Sequence, residues 1–354
     1  MRLTLLSALP FAAALLLSHP FICDAQQSRW AVVNTSSNFL RDAPDYEAGN
    51  GTQLLMGTVV EVLESDGIWR KVTSPDPYVG WTNNLTLAYM DEAEKDEYIA
   101  SDKWICGAEH SHVYEDPDMR SKIICNLTMG DLLRQTPDTT AAVPGVKSWY
   151  KHFVVPAVKG EDPSRGWVKN GGTPWIRVML PDGKIGWVPA LDLRDFNRWA
   201  YTKECKGENI VKLAERFVGV PYMWGGNTAN YFDCSGLAKF VYFMNGVLLP
   251  RNCSEQVKLG EEVPAIMNAM RPGDLVFFGT KASEGKPAKA SHVGIYIGDG
   301  KMIHSSQLVR INSLVKSEPD YYDREILCVR RIIGNIDDGS PAVSVRYSPW
   351  YFIQ

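Results

Sequence analysis

The sequence predicts two small all-β units followed by one α+β domain. A hairpin pattern bounded by tryptophans occurs twice in the first half, and the apolar periodicity turns helical after residue 200. Beyond that point a cysteine at a helix start is followed by two histidines flanking a glycine-rich turn. A chain of 354 residues is long for one core and suits two or three domains. Hydrophobic residues make up 45% and charged residues 22%, the balance of a soluble globular protein. The net charge is −4 and no basic stripe occurs, so a nucleic-acid partner is not expected.

Residues 1–25 stand apart. Arg2 precedes an apolar run from Leu3 to Leu17, and Cys23-Asp24-Ala25 follows. A positive start, an apolar core and small residues before the boundary predict an export signal cleaved after Ala25. Lipid modification of Cys23 is the alternative, disfavoured because Ile22 stands where a small residue is wanted. No later segment has membrane-spanning length, so the expected mature chain is exported, with no integral membrane segment.

The repeat comes next. Trp69-Arg70-Lys71-Val72 leads to Val79-Gly80-Trp81, and Trp175-Ile176-Arg177-Val178 leads to Ile185-Gly186-Trp187. The tryptophans are twelve residues apart in both copies, with a basic residue two after the first and glycine before the second. Pro75-Asp76-Pro77 and Pro181-Asp182-Gly183 supply the turns. The pattern resembles the bacterial SH3-like domain, a small β-barrel, with copies expected over 28–90 and 104–195. A Pro/Gly-rich excursion over 135–174 reads as a loop that lines a site. The acidic stretch within 91–103 reads as a linker or short surface helix.

The α+β domain is expected over 203–335. Ile210, Val211, Leu213, Ala214 and Phe217 mark an amphipathic helix from Glu208 to Val218. Leu237, Phe240, Val241 and Met244 mark a second helix starting near Cys234. Pro272-Gly273-Asp274 turns into the strand Leu275–Phe278, and residues 292–304 read as a hairpin. Helices first and antiparallel strands afterwards give the α+β class. The segment 336–354, with Tyr347, Trp350, Tyr351 and Phe352, is too aromatic for a free tail and is expected to pack on a neighbour.

Asp233-Cys234-Ser235-Gly236 carries the chemistry. Unpaired amides and the positive end of a helix favour a thiolate, pulling a cysteine pKa below ~8.5. With the hairpin centred on Gly298, His292 and His304 lie directly opposite each other on one face. One imidazole then serves as base for the thiol and the other orients it, an acyl-transfer arrangement. Catalytic zinc held by the same three residues is the alternative. No C-x-x-C pair exists, so no structural zinc, other metal or cofactor is expected. The remaining cysteines, Cys106, Cys125, Cys205, Cys253 and Cys328, show no tight disulfide spacing.

Pro221-Tyr222-x-Trp224-Gly225-Gly226, Asp233-Cys234-Ser235-Gly236, Arg271-Pro272-Gly273-Asp274-Leu275 and His292-Val293-Gly294-Ile295-Tyr296 occur in that order. Together they resemble the NlpC-type cell-wall peptidases. The resemblance implies a papain-like fold and hydrolysis of the γ-D-glutamyl bond to a diamino acid in peptidoglycan stem peptides. Cys234 would be nucleophile, His292 base and His304 the orienting third residue. Tyr222 would donate to the oxyanion alongside the Cys234 amide, or be a packed aromatic. Asp233 and Ser235 would hold the substrate's amino end, with helix capping the alternative for Asp233.

Arg251 and Ser254 resemble the family's Arg-x-x-Ser-x-Gln segment. Arg251 would pair with the α-carboxylate of D-glutamate or form a surface ion pair. Two SH3-like domains ahead of this domain resemble the dipeptidyl-peptidase branch. That branch releases L-Ala-γ-D-Glu from peptides with a free N-terminal L-alanine, a barrel wall excluding glycan-linked peptide. Tyr114 is the candidate barrel residue near the substrate amine, or a strand-surface tyrosine. An endopeptidase on intact peptidoglycan and a non-catalytic wall-binding protein are the competing readings.

Overall fold

The computed structural model describes residues 29–136, 167–170 and 173–353. The expected export signal and most of the 135–174 excursion lie outside the described residues.

The first SH3-like unit contains β1 (Trp30–Val33), β2 (Asn38–Arg41), β3 (Asn50–Leu54), β4 (Val59–Asp66), β5 (Trp69–Thr73), β6 (Val79–Asn83) and β7 (Leu87–Met90). They form one antiparallel sheet in the order β3-β2-β6-β5-β4-β1-β7. Helix α1 (Glu92–Ala100) follows, started by a capping box between Asp91 and Glu94.

The second unit holds β8 (Lys103–Cys106), β9 (His110–Tyr114), β10 (Ile123–Thr128), β11 (Leu132–Gln135), β12 (Trp167–Asn170), β13 (Thr173–Met179), β14 (Ile185–Pro189) and β15 (Leu193–Asp195). The repeated hairpins have the same register. Lys71 pairs with Trp81 across β5 and β6, and Arg177 pairs with Trp187 across β13 and β14. The recurring basic residue is thus the cross-strand partner of the second tryptophan. In the first copy the Lys71 ammonium lies 5.7 Å from the Trp81 ring.

Helix α2 (Phe196–Thr202), capped by Asp195, leads to α3 (Gly207–Glu215). The short strands β16 (Asn227–Thr228) and β17 (Tyr231–Phe232) precede α4 (Cys234–Phe243). Then come β18 (Val247–Leu248), α5 (Cys253–Gln256), β19 (Glu261–Val263), β20 (Leu275–Thr280), β21 (Lys289–Gly298), β22 (Lys301–Ser306), β23 (Leu308–Ser313), β24 (Ile326–Arg331) and β25 (Val343–Ser344). The six-stranded antiparallel sheet runs β19-β24-β20-β21-β22-β23, and α4 packs on β21 and β22. Leu237, Phe240 and Val241 occupy positions i, i+3 and i+4 of α4 and are buried in the main core with Phe217 and Phe232. Burying each such side chain stabilises the fold by about 1.5–3 kcal/mol. That burial anchors the helix whose first residue is Cys234.

The C-terminal aromatics bind the units together. Phe352 stacks on Phe196 at 5.3 Å, and Trp350 meets Trp30 edge-on at 5.9 Å.

The hairpin of β21 and β22 corrects the sequence expectation. Asp299 and Gly300 both have positive φ (48° and 68°), so they form its two-residue turn. A bulge between Tyr296 and Gly298 shifts the ladder again, and Ile295 pairs with Ile303. Continuing that register sets His304 opposite Gly294, whose ideal Cβ would lie 3.4 Å from the His304 Cβ. His292 and His304 therefore share a face as diagonal neighbours, not as direct partners.

Candidate active site

Asp233 caps α4. Its Oδ1 accepts from the Gly236 amide at 2.7 Å, and its Oδ2 accepts from the Gly225 amide at 2.9 Å. Cys234 occupies the first helical position, half-buried. A side chain at Gly236 would put Cβ 1.9 Å from the Gly226 carbonyl, so glycine lets the helix start lie against the preceding loop. The thiol meets the amides of Ser235 and Val293, the latter next to His292 on β21.

Burial pushes the Cys234 thiol up to about 11, and the Asp233 carboxylate adds to the effect. The two amides and Arg251 pull the other way. This corrects the expected lowering: desolvation of the thiolate outweighs the helix start. Burial also pulls His292 down to about 3 and His304 down to about 4. Burial thus favours the neutral thiol and neutral imidazoles at neutral pH.

His292 Nε2 lies 2.7 Å from His304 Nδ1, and His304 Nε2 lies 2.9 Å from Asn312 Oδ1. Tyr322 covers the pair, its ring 5.4 Å from that of His292 and 4.7 Å from that of His304. Both His304 nitrogens are engaged in hydrogen bonds, which leaves neither for a metal ion. Among the described residues no cluster of three or more His, Cys, Asp or Glu is arranged to hold one.

Tyr222 sits half-buried within electrostatic reach of Cys234. Burial, then a negative charge on Cys234, pushes its hydroxyl up to about 12, so it stays a proton donor. Asp233 and Ser235 are buried and joined to Arg251. Arg251 corrects its own expectation, being 2% exposed with its guanidinium already engaged. It donates from Nη1 to Asp233 Oδ1 (3.1 Å) and Ser235 Oγ (3.0 Å), from Nη2 to Asp233 Oδ2, and from Nε to Thr52 Oγ1 (2.8 Å). Four of its five N–H donors are thus engaged within the protein, so the guanidinium serves first to hold Asp233 and Ser235. Ser254 is exposed on α5, whereas Gln256 of the same segment is buried and donates to the Ser235 carbonyl at 3.0 Å.

Tyr114, on β9 of the second unit, is 4% exposed and edge-on to Trp175 at 5.4 Å, packed inside the unit and not on the strand surface. Among the described residues, the first unit borders the loop that leads to Cys234. The Gln53 amide donates to Asn227 Oδ1 (3.0 Å), the Asn227 amide donates to Gln53 Oε1 (3.1 Å), and Asn50 Nδ2 donates to the Trp224 carbonyl (3.2 Å). Gly225 (φ +80°) allows this approach, since its Cβ would lie 2.4 Å from the Asn50 carbonyl. Trp224 itself is 71% exposed. Thr52, Gln53, Asn312 and Tyr322 escaped the sequence reading. None of the four left a local signal; on β23 Asn312 is one of three polar residues, with Arg310 and Ser313.

A cysteine at a helix start backed by two histidines from one antiparallel sheet defines the papain-like class of cysteine hydrolase folds. Residues 219–331 match the NlpC/P60 family, and residues 40–84 match the bacterial dipeptidyl-peptidase Sh3 domain. The α+β domain of this chain is an NlpC/P60 domain behind an SH3-like all-β region.

The chain is 39% identical over 124 residues to the gamma-D-glutamyl-L-lysine dipeptidyl-peptidase of Bacillus subtilis, covering 35% of this chain and 40% of that relative's length. It is 25% identical over 289 residues to dipeptidyl-peptidase 6 of Lysinibacillus sphaericus, covering 78% of this chain and 89% of the other. The crystal structure of an NlpC/P60 family protein from Bacillus cereus superposes with a TM-score of 0.65 at 22% identity, over 86% of this chain and 99% of the other. That likeness shows the shared fold.

Proposed function

We propose that this protein is an exported cysteine peptidase acting on peptidoglycan stem peptides. It hydrolyses the bond between the γ-carboxyl of D-glutamate and the following diamino acid, releasing L-Ala-γ-D-Glu from peptides with a free N-terminal L-alanine. The observation that carries the reading is Cys234 at the start of α4 beside the His292–His304 pair.

The Cys234 proton passes to His292 as sulfur attacks the γ-carbonyl carbon. The oxyanion takes hydrogen bonds from the Cys234 amide and the Tyr222 hydroxyl. His292 returns the proton to the departing amine as the C–N bond breaks, leaving a thioester. Water then adds with His292 as base, the C–S bond breaks and the thiol regains its proton. The first SH3-like unit, bonded to the Trp224–Thr228 loop, supports a groove closed to glycan-linked peptide.

The test offers free L-Ala-γ-D-Glu-diamino acid peptide and, separately, the same peptide attached to glycan, with products followed by mass spectrometry. Cleavage of the free peptide alone is expected. Comparable cleavage of both replaces this reading with an endopeptidase on intact wall. Unchanged cleavage by Cys234→Ala overturns the mechanism.

A further inference from the structure

We propose that Asn312 is a positioning residue that, through His304, holds His292 in the Nε2–H tautomer and leaves its Nδ1 bare for the Cys234 proton. The proposal rests on the reading of His292 as the base.

The Asp320 backbone carbonyl can only accept, and it lies 2.6 Å from one terminal atom of the Asn312 amide, which is therefore the nitrogen. The Asn312 oxygen then faces His304 Nε2 at 2.9 Å, and an amide oxygen can only accept. His304 Nε2 carries the hydrogen, and in a neutral ring Nδ1 is the acceptor. His292 Nε2, 2.7 Å away, must donate to it. A neutral His292 with hydrogen on Nε2 has a bare Nδ1, the form a general base requires. The opposite polarity would put a hydrogen on His292 Nδ1 and disable it.

The sheet enforces the order. The register pairs Met302 with Asn312 and His304 with Arg310 across β22 and β23, so Asn312 is diagonal to His304 on the same face. His292, His304 and Asn312 thus step diagonally across three neighbouring strands. The Asn312–Asp320 bond also fastens the segment bearing Tyr322, which packs on both imidazoles and limits competing water.

Long-range proton–nitrogen NMR on histidine-labelled protein reads the tautomers directly. Both His292 and His304 are expected as Nε2–H in the native protein. Asn312→Leu, which offers no acceptor, is expected to shift them and to lower kcat on the order of 100-fold with KM little changed. Asn312→Asp keeps an acceptor oxygen for His304 but sets its other oxygen against the Asp320 carbonyl, so it is expected to retain the native tautomers while losing part of the rate as the Tyr322 segment loosens.

A native His292 with hydrogen on Nδ1 overturns the proposal, as does an Asn312→Leu protein with unaltered tautomers and kcat. The native spectrum decides by itself where the leucine variant does not fold. It also needs no substrate, so failure to cleave wall peptides would sink the functional reading without touching the tautomer result.

Discussion

The His292 and His304 rings meet edge to face, Nε2 to Nδ1 at 2.7 Å, from diagonal positions on neighbouring strands. Direct partners of an antiparallel ladder stand side by side, whereas a diagonal step lets one ring reach over the strand to the other. One bulge and the Asp299–Gly300 turn produce that offset. The line runs on to Asn312, so the base is oriented from its far side while its near side stays open.

A neutral resting pair sets the pH behaviour. Burial holds His292 near 3 and Cys234 near 11, so neither ionises at neutral pH. Below its folded pKa His292 gains a proton and ceases to accept one. The acid limb of kcat/KM is therefore expected below the ordinary imidazole value of 6.5. Alkylation of Cys234 by iodoacetamide is expected to accelerate with pH, with a midpoint above the ordinary thiol value of about 8.5. Rapid, pH-independent alkylation from pH 5 upward would instead reveal a resting thiolate–imidazolium pair.

Arg251 and Asp233 form a buried ion pair, so removing one partner leaves a charge stranded. Arg251→Met is expected to destabilise the protein by about 3–5 kcal/mol. It also removes a cation that lowers the Cys234 pKa, so thiol alkylation slows in the folded variant. Asp233→Asn combined with Arg251→Met is expected to cost less than the two single changes added together. Chemical denaturation of all four proteins measures the coupling, and strict additivity would contradict it.

Lys103 gives a stability slope. It is 3% exposed, its Nζ donates to the Ile99 and Ser101 carbonyls, and burial lowers its pKa from 10.5 to about 7. Between those values the unfolded chain holds a proton that the folded chain does not. Stability therefore rises with pH across that window, at up to about 1.4 kcal/mol per pH unit from this group. Lys103→Met is expected to flatten the slope in urea unfolding from pH 7.5 to 9.5. Parallel slopes for the two proteins would show that Lys103 keeps its proton on folding.

Gly225 separates backbone strain from docking. Gly225→Ala combines a φ of +80° with a Cβ 2.4 Å from the Asn50 carbonyl, whereas Gly67→Ala has a φ of +54° and open space around it. The Gly67 change is expected to cost about 1 kcal/mol of strain. The Gly225 change is expected to cost more and to lower cleavage by displacing the first unit from the Trp224–Thr228 loop. Equal losses of stability at the two positions would mean that the contact with Asn50 yields freely.

Cys234, His292 and His304 could be singled out from the sequence because their signals are local. Cys234 is marked by the turn before α4 and the helical spacing after it, and each tryptophan repeat lies within one hairpin. Arg251 misled for a related reason. Its motif suggested a charge for a substrate, and nothing near it in sequence says that Thr52, 199 residues away, and Asp233 occupy its guanidinium.

By itself the sequence singled out Cys234, His292 and His304 as candidates and determined which segments become helix or strand, since capping, periodicity and turn residues act over a few positions. Only the tertiary structure decided that the first unit meets the Trp224–Thr228 loop, and that Asn312 ends the histidine line. It also decided that burial overrides the helix start at Cys234. Those outcomes depend on sheet register, on desolvation and on contacts between residues far apart in the chain. A one-residue bulge or a single packed interface changes them without altering any local pattern.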